Sequence, residues 1–158
     1  MKKYMLILFS YGGLKKINEH LKQNLSQNDQ LIVRALMLEE VPRLFEHLIS
    51  DVGFLGEQVV SDVEDSVVNI YQDNARDYLD QVKEIAAENN FKLDQKLVEQ
   101  HNLEALKQEI READLDRIFI NLSHNEFISN QVKENEINSW LKKIKLPLDI
   151  FYDGEKEK

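Results

Sequence analysis

The residues best suited to chemistry lie in two short polar stretches, each at the end of an apolar run. Ser10-Tyr11-Gly12-Gly13 follows the run Tyr4–Phe9, and Asn121, Ser123, His124 and Asn125 close the run Leu115–Leu122. If the two runs are neighbouring parallel strands, these stretches border one crevice. Ligands in open sheets bind beyond the carboxyl ends of strands, where strand order reverses. Ser10, Tyr11, Gly12, Asn121, Ser123 and His124 are therefore the candidate ligand-contacting residues. A plainer reading competes with this one. Gly12-Gly13 then only shapes a turn, since glycine accepts positive φ, and His124 binds water or caps the helix that follows.

Known catalytic patterns do not fit these residues. Ser10, Ser123 and His124 lack a G-x-S-x-G elbow, and no carboxylate is evidently placed to orient the imidazole. A phosphoryl-transfer receiver needs an acidic pair after the first strand to hold Mg²⁺, and Phe9-Ser10-Tyr11 supplies none. His20, His47 and His101 sit on separate elements without a helical ligand pair. The chain has no cysteine, which removes thiolate chemistry, disulfides and Cys-type metal sites. The expectation is a protein that is not an enzyme and has no metal. Arg34 stands alone within an apolar strand. Either it reaches the crevice and holds an anion, or, the favoured reading, it pairs with a helix carboxylate or snorkels to the surface, because an unpaired buried charge costs several kcal/mol.

The elements that must position these residues are legible from periodicity. Tyr4–Phe9 is uncharged and does not alternate, as expected of a strand buried on both faces. Leu14, Ile17, Leu21 and Leu25 then recur at helical spacing. Leu31–Leu38 is a second buried strand. Glu39–Gly56 is a connector with its own apolar stripe, ending in Phe54-Leu55 between two glycines; that pair is either a lid or partner anchor, or a plug in the core. A long helix over about Val59–Glu88 carries an apolar stripe and an acidic face that includes Asp62, Glu64, Asp65, Asp73, Asp77 and Asp80. Phe91–Val98 alternates like an edge strand. A short helix from Leu103, the strand Leu115–Leu122, a helix over about Phe127–Lys143 and a Pro147-led strand follow. Glu155–Lys158 reads as a disordered charged tail. Alternation on this scale predicts an α/β, Rossmann-like, doubly wound sheet of five parallel strands with helices on both faces, in one domain over 1–154.

Composition bounds the partners. The 158 residues carry a net charge of −9 with 42% hydrophobic and 31% charged residues. An acidic chain without a basic face argues against nucleic acid and anionic membranes. No apolar run approaches the ~20 residues that span a bilayer, and the short apolar stretch after Met1-Lys2-Lys3 lacks a cleavage site. A cytoplasmic protein without membrane insertion is expected.

In order and spacing the chain resembles the universal stress protein family over nearly its whole length: five strands, a variable insert after the second, and a long second helix. Glu112-Ala113-Asp114-Leu115-Asp116-Arg117-Ile118-Phe119-Ile120 looks like the family's acidic helix end running into strand four. Lys145-Leu146-Pro147-Leu148-Asp149-Ile150-Phe151 looks like its closing strand. The resemblance implies strand order 3-2-1-4-5 and a homodimer joined through the last strand, here Leu148, Ile150 and Tyr152, although Asp149 is a charge of the kind that blunts an exposed edge.

The family's nucleotide motifs match poorly. Its nucleotide-binding members carry an Asp at the end of strand one, where this chain has Ser10. They carry G-x2-G-x9-G-[S/T] after strand four, where this chain runs from Asn121 to Glu134-Asn135 without a glycine; none occurs between Gly56 and Gly154. Backbone N–H groups approach a phosphate most easily at glycine. Glu126, Glu134 and Glu136 add repulsion: two charges ~6 Å apart at an effective dielectric near 20 interact by about 3 kcal/mol, roughly a hundredfold in affinity. The expectation is a stress-response or regulatory protein that acts through dimerisation and protein partners, with Phe54-Leu55 a possible contact and no cofactor. The alternative is a weak binder of ATP, AMP or another small ligand in the degenerate crevice.

Overall fold

β1 (Lys3–Leu8) is the strand around which the sheet is built. From Tyr4 onward its residues are all buried, because alternate side chains enter two different cores. A computed structural model describes residues 1–37, 57–99, 103–122 and 134–157. The other described elements are α1 (Leu14–Asn24), β2 (Gln30–Met37), α2 (Glu57–Asn89), β3 (Lys92–Glu99), α3 (Leu103–Glu112), β4 (Arg117–Leu122), α4 (Glu134–Lys143), β5 (Leu148–Tyr152) and β6 (Glu155–Lys156). Boundaries differ from the sequence expectation by one or two residues at most described ends. The connector over 39–56, with Phe54 and Leu55, and the loop with Ser123 and His124 lie outside the described residues.

The sheet has the order β3-β2-β1-β4-β5-β6. The first five strands pair in parallel, in the order 3-2-1-4-5 that was expected, with β1 central and β3 at an edge. The sixth strand departs from expectation. Glu155–Lys156, read from sequence as part of a disordered tail, pairs antiparallel with Phe151–Tyr152. The cause is the dipeptide between the strands: Asp153 and Gly154 both have positive φ, 49° and 86°, the conformation of a type I′ hairpin turn.

One core packs Tyr4, Leu6 and Leu8 with Ile17 and Leu21 of α1 and Tyr78, Val82 and Ile85 of α2. The other packs Met5, Ile7 and Phe9 with Leu106 and Ile110 of α3 and Trp140 and Leu141 of α4. Helices thus cover both faces. Asp73, Asp77 and Asp80 of α2 are exposed, as the acidic-face reading expects.

Candidate functional site

β1 and β4 are neighbours, so the two polar stretches do converge: Leu8 is in register with Asn121. Strand order reverses between them, which makes the space beyond their carboxyl ends the switch point of the sheet. Phe9 and Ser10 both donate their backbone N–H to the Asn121 carbonyl, at 3.0 and 3.2 Å. The chain leaves β1 through Ser10 to Gly13 and enters α1 with Gly13 as its N-cap at φ 68°.

Ser10 and Asn121 are fully buried, and burial obliges their polar atoms to find partners. The Ser10 hydroxyl donates to Asp153 Oδ1 at 2.7 Å and its oxygen accepts the Gly12 N–H at 3.1 Å. The Asn121 amide donates to the carbonyls of Ser10 and Gly12, both at 3.0 Å. Its Oδ1 accepts the N–H of Gly154 at 3.0 Å. Asp153 is itself anchored by its N–H on the Leu122 carbonyl at 2.8 Å. One serine and one asparagine therefore tie together the end of β1, the end of β4 and the turn between β5 and β6.

That turn lies directly on the β1–α1 turn. A Cβ at Gly13 would overlap the carbonyl of Asp153, and one at Gly154 would overlap the carbonyl of Gly13. Only two glycines let the backbones meet this closely. Tyr11 points elsewhere: its hydroxyl donates to the Leu36 carbonyl at 2.7 Å, and burial raises its pKa, so it stays a neutral donor. Of the six sequence candidates, Ser10, Gly12 and Asn121 come together, Tyr11 leans toward the end of β2, and Ser123 and His124 are not among the described residues.

Sequence reasoning missed Asp153 and Gly154. The signal was available as an Asp-Gly pair between Tyr152 and Glu155, a strong short-range hairpin mark. It also missed the setting of Asp149. Read as an exposed edge charge, Asp149 is buried. Arg117 Nη1 donates to its Oδ1 at 2.9 Å, Lys156 Nζ lies 3.6 Å from the same oxygen, and His20 Nε2 is 3.3 Å from Oδ2. The His20 ring stands edge-on to Phe119 and Phe151. Arg34 is buried too, and it faces carboxylates of the fold. Its Nε donates to Glu109 Oε1 at 2.7 Å, Nη2 pairs with Glu109 and with Asp94 Oδ2, and Nη1 donates to the carbonyls of Val33 and Asp94. Burial opposes its charge, but the bonds to Glu109 and Asp94 outweigh burial and raise its pKa. The arginine is a structural tie from β2 to β3 and α3.

Among the described residues no group of His, Asp and Glu is arranged to hold a metal ion, and no helix is long and apolar enough to cross a membrane.

No family model matches the chain, and no curated protein matches it. Solved structures do. The hypothetical protein MJ0577 superposes with a TM-score of 0.54 at 19% identity, covering 96% of both chains. The hypothetical protein PH0823 superposes with a TM-score of 0.53 at 14% identity, covering 99% of both. At such identities the likeness is one of fold, the doubly wound architecture of the described residues.

Proposed function

We propose that this chain is a divergent protein of the universal stress protein type, noncatalytic, acting in stress response or regulation through dimerisation and protein partners and without tight ATP binding. One observation carries the reading: the described polar groups of the crevice bond to one another. Ser10 stands where nucleotide-binding members of the family have an Asp, and its hydroxyl is engaged by Asp153. Asn121 uses both amide hydrogens and its carbonyl oxygen on backbone. The glycine-free sequence after β4 and its glutamates argue in the same direction, since backbone approaches a phosphate most easily at glycine and carboxylates repel one.

The dimer is proposed through Leu148, Ile150 and Tyr152. These three alternate with buried Asp149 and Phe151 and remain half-buried, so they offer apolar side chains to a second copy. The outer edge of β5 is taken by β6 over Phe151–Tyr152, and Glu157 donates its N–H to the Ile150 carbonyl. Contact through side chains therefore suits this protein better than backbone pairing at the edge.

The test of the ligand half is calorimetric titration of the full chain with Mg-ATP. No saturable heat is expected below about 100 μM. A dissociation constant below about 10 μM, abolished by Asn121→Leu, would overturn the reading and favour a nucleotide-binding protein.

A further inference from the structure

We infer that the carboxyl-terminal hairpin, Asp153 to Glu157, is a built-in occupant of the crevice between β1 and β4, an autoinhibitory plug that keeps a small anionic ligand out. This rests on the proposal that the full chain does not bind nucleotide tightly, and supplies a physical cause for it besides the missing glycines.

The hairpin makes the contacts that a ligand would make. Its Asp153 carboxylate accepts from the buried Ser10 hydroxyl and lies over Gly12, where a Cβ would come within 2.5 Å of Oδ1. Its Gly154 N–H takes the one Asn121 oxygen that faces out of the β1–β4 ladder. An anion and a donor, both supplied by the chain, thus fill the two polar anchor points at the switch point of the sheet. β5 pairs with β4 through Leu148–Tyr152, and Glu155, Lys156 and Glu157 are exposed.

Surface charges hold the plug down. Lys16 on α1 pairs with Glu155, and Lys156 reaches Asp149. The Lys16–Glu155 pair is exposed on both sides, so it is weak and screened by salt, whereas Lys156 reaches a carboxylate that is buried. The plug is fastened by its turn, by the pairing of Glu155–Lys156 with Phe151–Tyr152, and by the Glu157 N–H on the Ile150 carbonyl. Because it is tethered, it competes at a high effective concentration. Apparent affinity falls by the open fraction, so a hairpin open one time in a hundred weakens a ligand about a hundredfold.

The experiment compares three chains: the full chain, a deletion of residues 153–158, and the point variant Asp153→Ala, which keeps the hairpin sequence but removes the carboxylate. Each is titrated with AMP, Mg-ATP and inorganic phosphate by calorimetry, and amide exchange across Lys3–Leu8 checks that the sheet is intact. The expected result is a gain of at least about tenfold in affinity for one of the three probes in the deletion, with a smaller gain in Asp153→Ala. An intact deletion chain that gains for none of them overturns the plug and leaves the proposed function standing. A full chain that binds as tightly as the deletion overturns the plug, and with Mg-ATP below about 10 μM it overturns the proposed function as well. If the deletion unfolds, Asp153→Ala decides alone: a gain supports the plug and no gain overturns it.

Discussion

Arg34 and Asp29 show how single residues in this chain are committed to structure. The Arg34 guanidinium is surrounded by two carboxylates and two carbonyls. Arg34→Ala would leave Glu109 and Asp94 facing each other across the space it vacates. Breaking one side of a buried ion pair costs about 3–5 kcal/mol, and since Asp94 is half-exposed the lower end is expected, read as a shift in the urea midpoint. Asp29 holds the amino end of the chain: the N–H groups of Lys2 and Ser26 donate to its two oxygens at 2.9 and 2.8 Å. Burial disfavours its charge, but these bonds outweigh burial and hold its pKa below the usual carboxylate range. A depressed folded-state pKa means stability that is present above the unfolded value of about 3.9 and is lost as pH falls through the folded value. Asp29→Asn should therefore cost about 1–2 kcal/mol at pH 7. The gap between the two chains should close as pH falls through the folded-state value, measured by denaturant titration at each pH.

At the scale of elements, the β5–β6 hairpin and the β1–α1 turn depend on each other. Gly13 has φ 68°, and a side chain there would meet the Asp153 backbone, which cannot rotate away. At Gly12 the obstacle is the Asp153 side chain, which can move. Gly13→Ala should cost about 2 kcal/mol or more, and Gly12→Ala about 1 kcal/mol or less. For a domain of this size that is a fall in Tm of roughly 5 °C for the first and roughly 2 °C for the second. Equal losses at the two positions would show that the turns do not interlock as described. The Asp-Gly pair was readable in the sequence as a hairpin mark, but its second strand is only Glu155–Lys156. Two charged residues carry no apolar alternation, and that is why periodicity assigned them to a tail.

At the scale of the whole molecule, the open question is what meets the β5 face. Leu148 and Ile150 are partly buried against the second core, as are Ile144, Leu146 and Leu122, and half-buried Tyr152 is in register with Leu122. Ile150→Lys places a charge in that patch while leaving Asp149 and Phe151 on the opposite face untouched. Light scattering at micromolar concentration should give a dimer for the parent chain and a monomer for the variant. A parent chain that is monomeric would remove dimerisation from the proposal. A dimer unchanged by Ile150→Lys would move the contact to another surface.

By itself the sequence determined the sheet and its coverings. A run such as Tyr4–Phe9 with no polar break must be buried on both faces, and helices with apolar stripes must lie on those faces, so element order and layer architecture follow from where apolar side chains can avoid water. It also determined that Arg34 needs a counter-charge or a route to solvent, because a lone buried guanidinium is too costly. What it left open were partners distant in sequence. Ser10 and Asp153 are bonded across 143 positions, Asn121 and Gly154 across 33, and Arg34 and Glu109 across 75. Nothing in local spacing names such a pair, since the same serine, asparagine or arginine would satisfy its hydrogen bonds with a ligand equally well. Only the tertiary structure decided that the chain's own carboxyl-terminal turn fills the end of the β1–β4 crevice, because it alone places that turn within hydrogen-bond reach of groups that burial forbids to remain unpaired.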